Sequence, residues 1–194
     1  MQYARAQFAL DEATELLTKT RFAGVRRAIG MGLPPALRVE LIYIPHYAIT
    51  IPVFQGKSKS TACAAIEACS GAFSLRRYKE ELISDQPQDA GQLFTPQITE
   101  AEALDIAQDG ILKNALRERG GRRTFKWAEP ESVHLLQHPF WVYYYARRRG
   151  LIDIRLLDAV TGDRPGSKTK GGVLDAFVES GRENQSNHVE HHSS

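Results

Sequence analysis

Three short segments of this chain recur some 90 residues further on, in the same order, and nothing else in the sequence limits its folds so strongly. FALDEATELL, from Phe8, is echoed by ITEAEALDIA, from Ile98. IPHYAITI, from Ile44, is echoed by HPFWVYYY, from His138, with the proline and the β-rich run after it shared. IEACSG, from Ile66, is echoed by LDAVTG, from Leu157, aligning an acid, an alanine, a hydroxyl residue and a glycine. The offsets are 90, 94 and 91 residues. Ordered self-similarity at a near-constant spacing points to duplication of one supersecondary unit.

The clearest part of that unit lies between His138 and Gly162. Aromatic and β-branched residues from Phe140 to Tyr145 suit a half-buried strand. Ile152, Ile154 and Leu156 alternate with Asp153 and Arg155, the period-two pattern of a strand with one wet face. Arg147, Arg148, Arg149 and Gly150 separate the two, and glycine tolerates the positive φ of a tight reversal. A β-hairpin with a charged tip follows, with Ile152, Ile154 and Leu156 expected in the core.

Residues 8–20 read as a helix carrying Leu10, Ala13, Leu16 and Leu17 on one face. Residues 38–50 read as a strand that Pro45 assigns to an edge or a bulge. Residues 61–69 fit helix or strand, and 76–83 look helical. Thr99 and Glu102 form a capping box at the start of a second helix, with Leu104, Ala107, Ile111 and Ala115 on its buried face, ending at Gly120. Residues 122–127 suit a short strand, 130–137 a connection and 171–179 a short final helix. The expected fold class is α+β, in two tandem repeats that each pack a helix on an antiparallel hairpin. Residues 1–84 form the first repeat, 85–97 a linker, 98–181 the second repeat and 182–194 a disordered polar tail.

The second half, residues 98–166, resembles the PepSY domain: an EA-rich helix in TEAEALDIA, an aromatic strand in HPFWVYYY and a closing LLDAVTG. The first half carries EACSG in place of DAVTG. The resemblance implies a small module of helices on an antiparallel sheet that binds or restrains a protein or peptide. It implies no shared catalytic residues, and such modules are often exported.

Candidate chemistry is sparse. Glu131, His134 and His138 have the spacing of ligands on one helical face, but Pro139 and Pro130 leave barely two turns of helix, so no metal is expected. His188, His191 and His192 lie in the tail. Residues 162–169, GDRPGSKT, approach a phosphate-binding loop, yet Pro165 removes a backbone donor and Ser167 stands where glycine belongs; a turn is expected, with no cofactor. Cys63 or Cys69 with His46 is a candidate for nucleophilic catalysis, and Asp153 and Asp158 are candidates for general acid–base work. No pairing of nucleophile and base is persuasive, so no catalytic residue is assigned and an enzyme of unrecognised type is the weaker reading. The two cysteines are too few for a disulfide framework and read as buried thiols. The N-terminus lacks the apolar core of a secretory signal, which favours a cytoplasmic location.

Charge is segregated. From residue 113 to 170 there are 13 Lys and Arg against 6 Asp and Glu, whereas 85–112 carry six acids and no base. The basic half interleaves with aromatics, a combination that also suits nucleic acid or an anionic surface. The expected partner is a protein or peptide, met by Arg147, Arg148 and Arg149 at the tip and by Trp141, Tyr143 and Tyr145 on the strand beside it. The arginines would steer an anionic partner toward those rings.

Overall fold

The computed structural model describes residues 2–19, 34–55, 58–75, 82–83, 91–119 and 125–190. Among these the chain is α+β, with three helices and a mixed sheet of eight strands. Two long antiparallel strands form the spine. β2 (Ala36–Gln55) and β7 (Ser132–Ala146) pair from Thr50 with Ser132 to Ala36 with Tyr145, and Ile44 lies opposite His138 near the middle. β3 (Ser58–Glu67) flanks one end of β2, and β8 (Ile152–Asp158) flanks the opposite end of β7. The short strands are β1 (Gln2–Ala4), parallel to β7, and β4 (Ala72–Leu75), outside β3. β5 (Leu82–Ile83) pairs with β1, and β6 (Phe125–Trp127) with β2.

β2 is buried without a break from Leu41 to Tyr47 because both faces of the sheet are covered. On one face lie α1 (Leu10–Thr18) and α2 (Glu100–Arg119); on the other lies α3 (Ser167–Glu190). Successive strand side chains alternate between faces. Tyr47, Ile49 and Ile51 therefore meet Ala103, Ala107 and Ile111 of α2, while Ile42 and Ile44 meet Val173 and Ala176 of α3.

Pro45 sits inside a central strand, where an edge or bulge is expected. Its carbonyl accepts from the Ala68 N–H at 2.8 Å, and that of Pro139 accepts from Ala159 at 3.0 Å. In an antiparallel ladder a residue's N–H and C=O point to the same side. Each proline thus aims its missing N–H where the neighbouring strand turns away, so no ladder bond is lost.

The repeated segments occupy matching positions. Glu67 and Asp158 end β3 and β8, and each carboxylate accepts backbone N–H groups of the following turn: Cys69 and Ser70 for Glu67, Val160 and Thr161 for Asp158. Both turns close on a glycine at positive φ, Gly71 at 65° and Gly162 at 74°. A Cβ on Gly162 would also come within 2.8 Å of the Phe8 ring, so glycine is needed there twice over. Gln97 and Ile98 donate to the Ala68 carbonyl, and Gln7 and Phe8 to that of Ala159. The Tyr47 hydroxyl donates to the Ile98 carbonyl, and the Trp141 indole to that of Phe8.

Those bonds cross between halves. α1 packs chiefly on β7 and β8 through Ala13, Leu17, Tyr143 and Leu157, and α2 packs on β2, β3 and β4. The first helix therefore covers the second hairpin, whereas the sequence reading puts it on its own. The guanidiniums of Arg155 and Arg164 complete the attachment by donating to the last carbonyls of α1: Arg155 to Leu17 at 3.0 Å, Arg164 to Leu16 at 2.5 Å and to Lys19 at 2.6 Å. Cations at a helix C-terminus meet both its unpaired carbonyls and its negative dipole end.

Other expectations change in detail. Residues 61–67 are strand, and β7 begins at Ser132, inside the stretch read as a connection. Leu82 and Ile83 are strand, while 76–81 lie outside the described residues. Within the expected linker Phe94 is buried and Gly91 donates to the Leu41 carbonyl; 84–90 lie outside the described residues. α3 starts earlier than expected and runs into the residues read as a disordered tail. Leu104 is half-buried, and Ala107, Ile111, Ile154 and Leu156 are buried. Ile152 is 64% exposed, since it stands at the hairpin tip beyond the packed part of the sheet. Cys63 is exposed and Cys69 half-buried, so neither thiol is the buried one expected.

Candidate functional site

A cavity of about 510 Å³ opens on the α3 face of the sheet, where the two halves meet. Its floor comes from the centre of β2 and β7. Direct opposition of Ile44 with His138 places His46 and Phe140 on the same face, two residues along each strand. The three rings cluster, with centroids 4.9 Å apart for His46 and His138, 5.1 Å for His138 and Phe140, and 5.8 Å for His46 and Phe140. Glu67 lies across β3 from His46, and Asp158 across β8 from Phe140. Both histidines and Glu67 are buried.

The hydrogen bonds fix the tautomers. His46 Nδ1 lies 3.0 Å from the Ile44 carbonyl, which only accepts, so Nδ1 carries the proton. His138 Nε2 lies 3.0 Å from Asp158 Oδ1 and donates to it. Burial on its own would raise the Asp158 carboxyl; the His138 bond and the N–H groups of Val160 and Thr161 outweigh burial and hold it below the ordinary carboxylate range. All three donors converge on Oδ1, and no described residue donates to Oδ2. Glu67 is more fully engaged: Oε1 accepts from Cys69 and Ser70 N–H, and Oε2 from the Ser70 hydroxyl.

The walls are β4 on one side and the 162–169 segment on the other. All four residues of β4 line the cavity, as do Thr161, Asp163, Pro165, Gly166 and Thr169. α3 comes close here because Gly172 lacks a side chain: a Cβ would stand 2.4 Å from Ser70 Cβ and 3.1 Å from Glu67 Oε2. The Lys168 ammonium donates to the Gly71 carbonyl at 2.8 Å and ties the helix start to the Glu67 turn. The segment that approaches a phosphate-binding loop is thus a turn leading into α3 from Ser167, with its lysine directed at a backbone carbonyl.

The residues chosen from sequence as partner-binding are divided. Trp141, Tyr143 and Tyr145 point to the opposite face, against the α1 cluster of Ala13, Leu17 and Leu157. The Tyr143 hydroxyl donates to the Pro34 carbonyl at 2.9 Å and that of Tyr145 to Asp153 at 2.8 Å. At the tip, Arg147 Nε lies 3.4 Å from Asp153, and Arg149 is exposed with φ 68°. Asp153 is shared by Tyr145, Arg147 and Lys170 and serves the hairpin.

His134 and His138 lie on a strand, not a helix, and Glu131 faces Lys59 at 3.6 Å. Among the described residues no group of three His, Cys, Asp or Glu side chains could hold a metal ion, and no helix is long and apolar enough to cross a membrane. Cys69 Sγ lies 3.7 Å from the Thr95 carbonyl, and Cys63 lies outside the cavity lining.

His46, His138 and Asp158 each stood out in the sequence, but for separate reasons and never together. The signal that joins them is the repeat alignment, which puts His138 at the place of Ile44 and His46 at that of Phe140. At both places one half carries a histidine where the other is apolar. Scanned against family models, curated proteins and solved structures, the chain finds no match.

Proposed function

We propose that the chain is a noncatalytic binding module, built from two related helix-and-hairpin units similar to PepSY domains, that takes up an extended peptide segment of a protein partner. The observation that carries this reading is the position of β4. Among the described residues β4 pairs only with β3, which leaves its outer edge without a described strand partner, and the cavity lies directly against it. An added strand gains main-chain hydrogen bonds from such an edge, while a pocket beside it reads the side chains that alternate toward one face. The ordered floor supports binding over catalysis: Asp158 Oδ1 is filled by three donors and the Glu67 carboxylate by the turn it closes.

Selection from a displayed library of unstructured peptides tests the proposal. Peptides that bind the full chain are expected to lose about tenfold in affinity when alternate backbone nitrogens are methylated, the worth of one net hydrogen bond of about 1.4 kcal/mol. Methylation at the intervening positions leaves affinity nearly unchanged. Uniform tolerance of methylation would rule out strand addition at β4.

A further inference from the structure

We infer that the cavity receives a cationic side chain, arginine in preference to lysine, from the peptide; this rests on the strand-addition reading above. Among the described residues that line it are three carboxylates, Glu67, Asp158 and Asp163, and no lysine or arginine. Among the described bases near it, Lys168 donates to the Gly71 carbonyl and Arg164 to the end of α1. Two of the carboxylates retain capacity. Asp158 Oδ2 accepts from no described residue, and neither does the Asp163 side chain, whose backbone carbonyl takes the Asp158 N–H at 2.8 Å and so holds the two acids adjacent.

A second observation is independent of the acids. Thr169 is only 9% exposed and lines the cavity, yet its hydroxyl makes no hydrogen bond to any described residue. That hydroxyl is open to the cavity and so is available to an occupant of it. The rings of His46, His138 and Phe140 complete the match, because a planar guanidinium stacks on an aromatic surface while its fork of N–H groups serves two carboxylates and a hydroxyl. The positive charge nearby is about half a unit from the α3 N-terminus and the Lys168 ammonium held at the Gly71 carbonyl; the three described carboxylates outnumber it.

Nuclear magnetic resonance titration of the full chain with N-acetyl-arginine methylamide tests the inference, with the lysine and the neutral citrulline analogues alongside. The arginine probe is expected to give saturable shifts at residues 67–75 and 158–169, with lysine several-fold weaker and citrulline at least tenfold weaker. Asp163→Asn, at an exposed position, should weaken arginine at least threefold with folding intact, and Asp158→Asn by more. Equal shifts from arginine and citrulline, or none from arginine, would overturn it. Selected peptides that obey the methylation pattern but carry no basic residue would overturn the cationic pocket and leave strand addition standing. Arginine binding in a chain that selects no peptide would do the reverse.

Discussion

Residues 91–194, expressed without the preceding part of the chain, will show no cooperative thermal transition and collapsed amide chemical-shift dispersion. β7 then loses β2, its partner along nearly its whole length, and the second hairpin loses α1. Tyr143, Leu157, Phe140 and Val142 would each expose apolar surface now covered by Ala13, Leu17, Ile42 or Ile44. At about 1.5–3 kcal/mol for each large apolar side chain returned to water, the loss exceeds the marginal stability of a small domain. Adding residues 1–90 as a separate chain should restore dispersion. A cooperative transition in the fragment alone would show that residues 98–181 form an autonomous unit and that the crossed packing is incidental.

Asp158→Ala should cost about 3 kcal/mol at pH 7. It strips acceptors from the N–H groups of Val160 and Thr161 and from the buried His138 ring, and an unsatisfied buried donor costs about 1–3 kcal/mol. Because the folded carboxyl sits below the ordinary range, the unfolded chain takes up the proton first on acidification. The stabilisation is complete above the unfolded value of about 4 and declines as pH falls through the folded one. Urea denaturation should therefore show a wide gap between wild type and variant at neutral pH and a narrower one at about pH 3. A gap independent of pH would mean that the carboxylate acts through shape alone.

The parts of the fold legible in the sequence are those set by local pattern. The capping box at Thr99 forms as the spacing demands, with Thr99 N–H donating to Glu102 at 2.7 Å. The charged hairpin reverses where Arg149 and Gly150 take positive φ. Long-range pairing was harder to read. Pro45 argues for an edge by its own chemistry, and only the departure of β3 after Glu67 makes it compatible with a central strand. Composition does not say which element packs on the aromatic strand; α1, from the other end of the chain, meets it at Tyr143. Thr169 gave no signal at all, since its burial depends on how closely Gly172 lets α3 approach the Glu67 turn.

Hydrogen–deuterium exchange of the full chain, with and without a selected peptide, bears most directly on where a partner docks. Binding along β4 predicts slowed exchange at residues 72–75 and around the cavity wall from 158 to 169, with the hairpin tip at 147–150 unchanged. Protection centred on the arginine tip, with β4 exchanging as in the free chain, would contradict it.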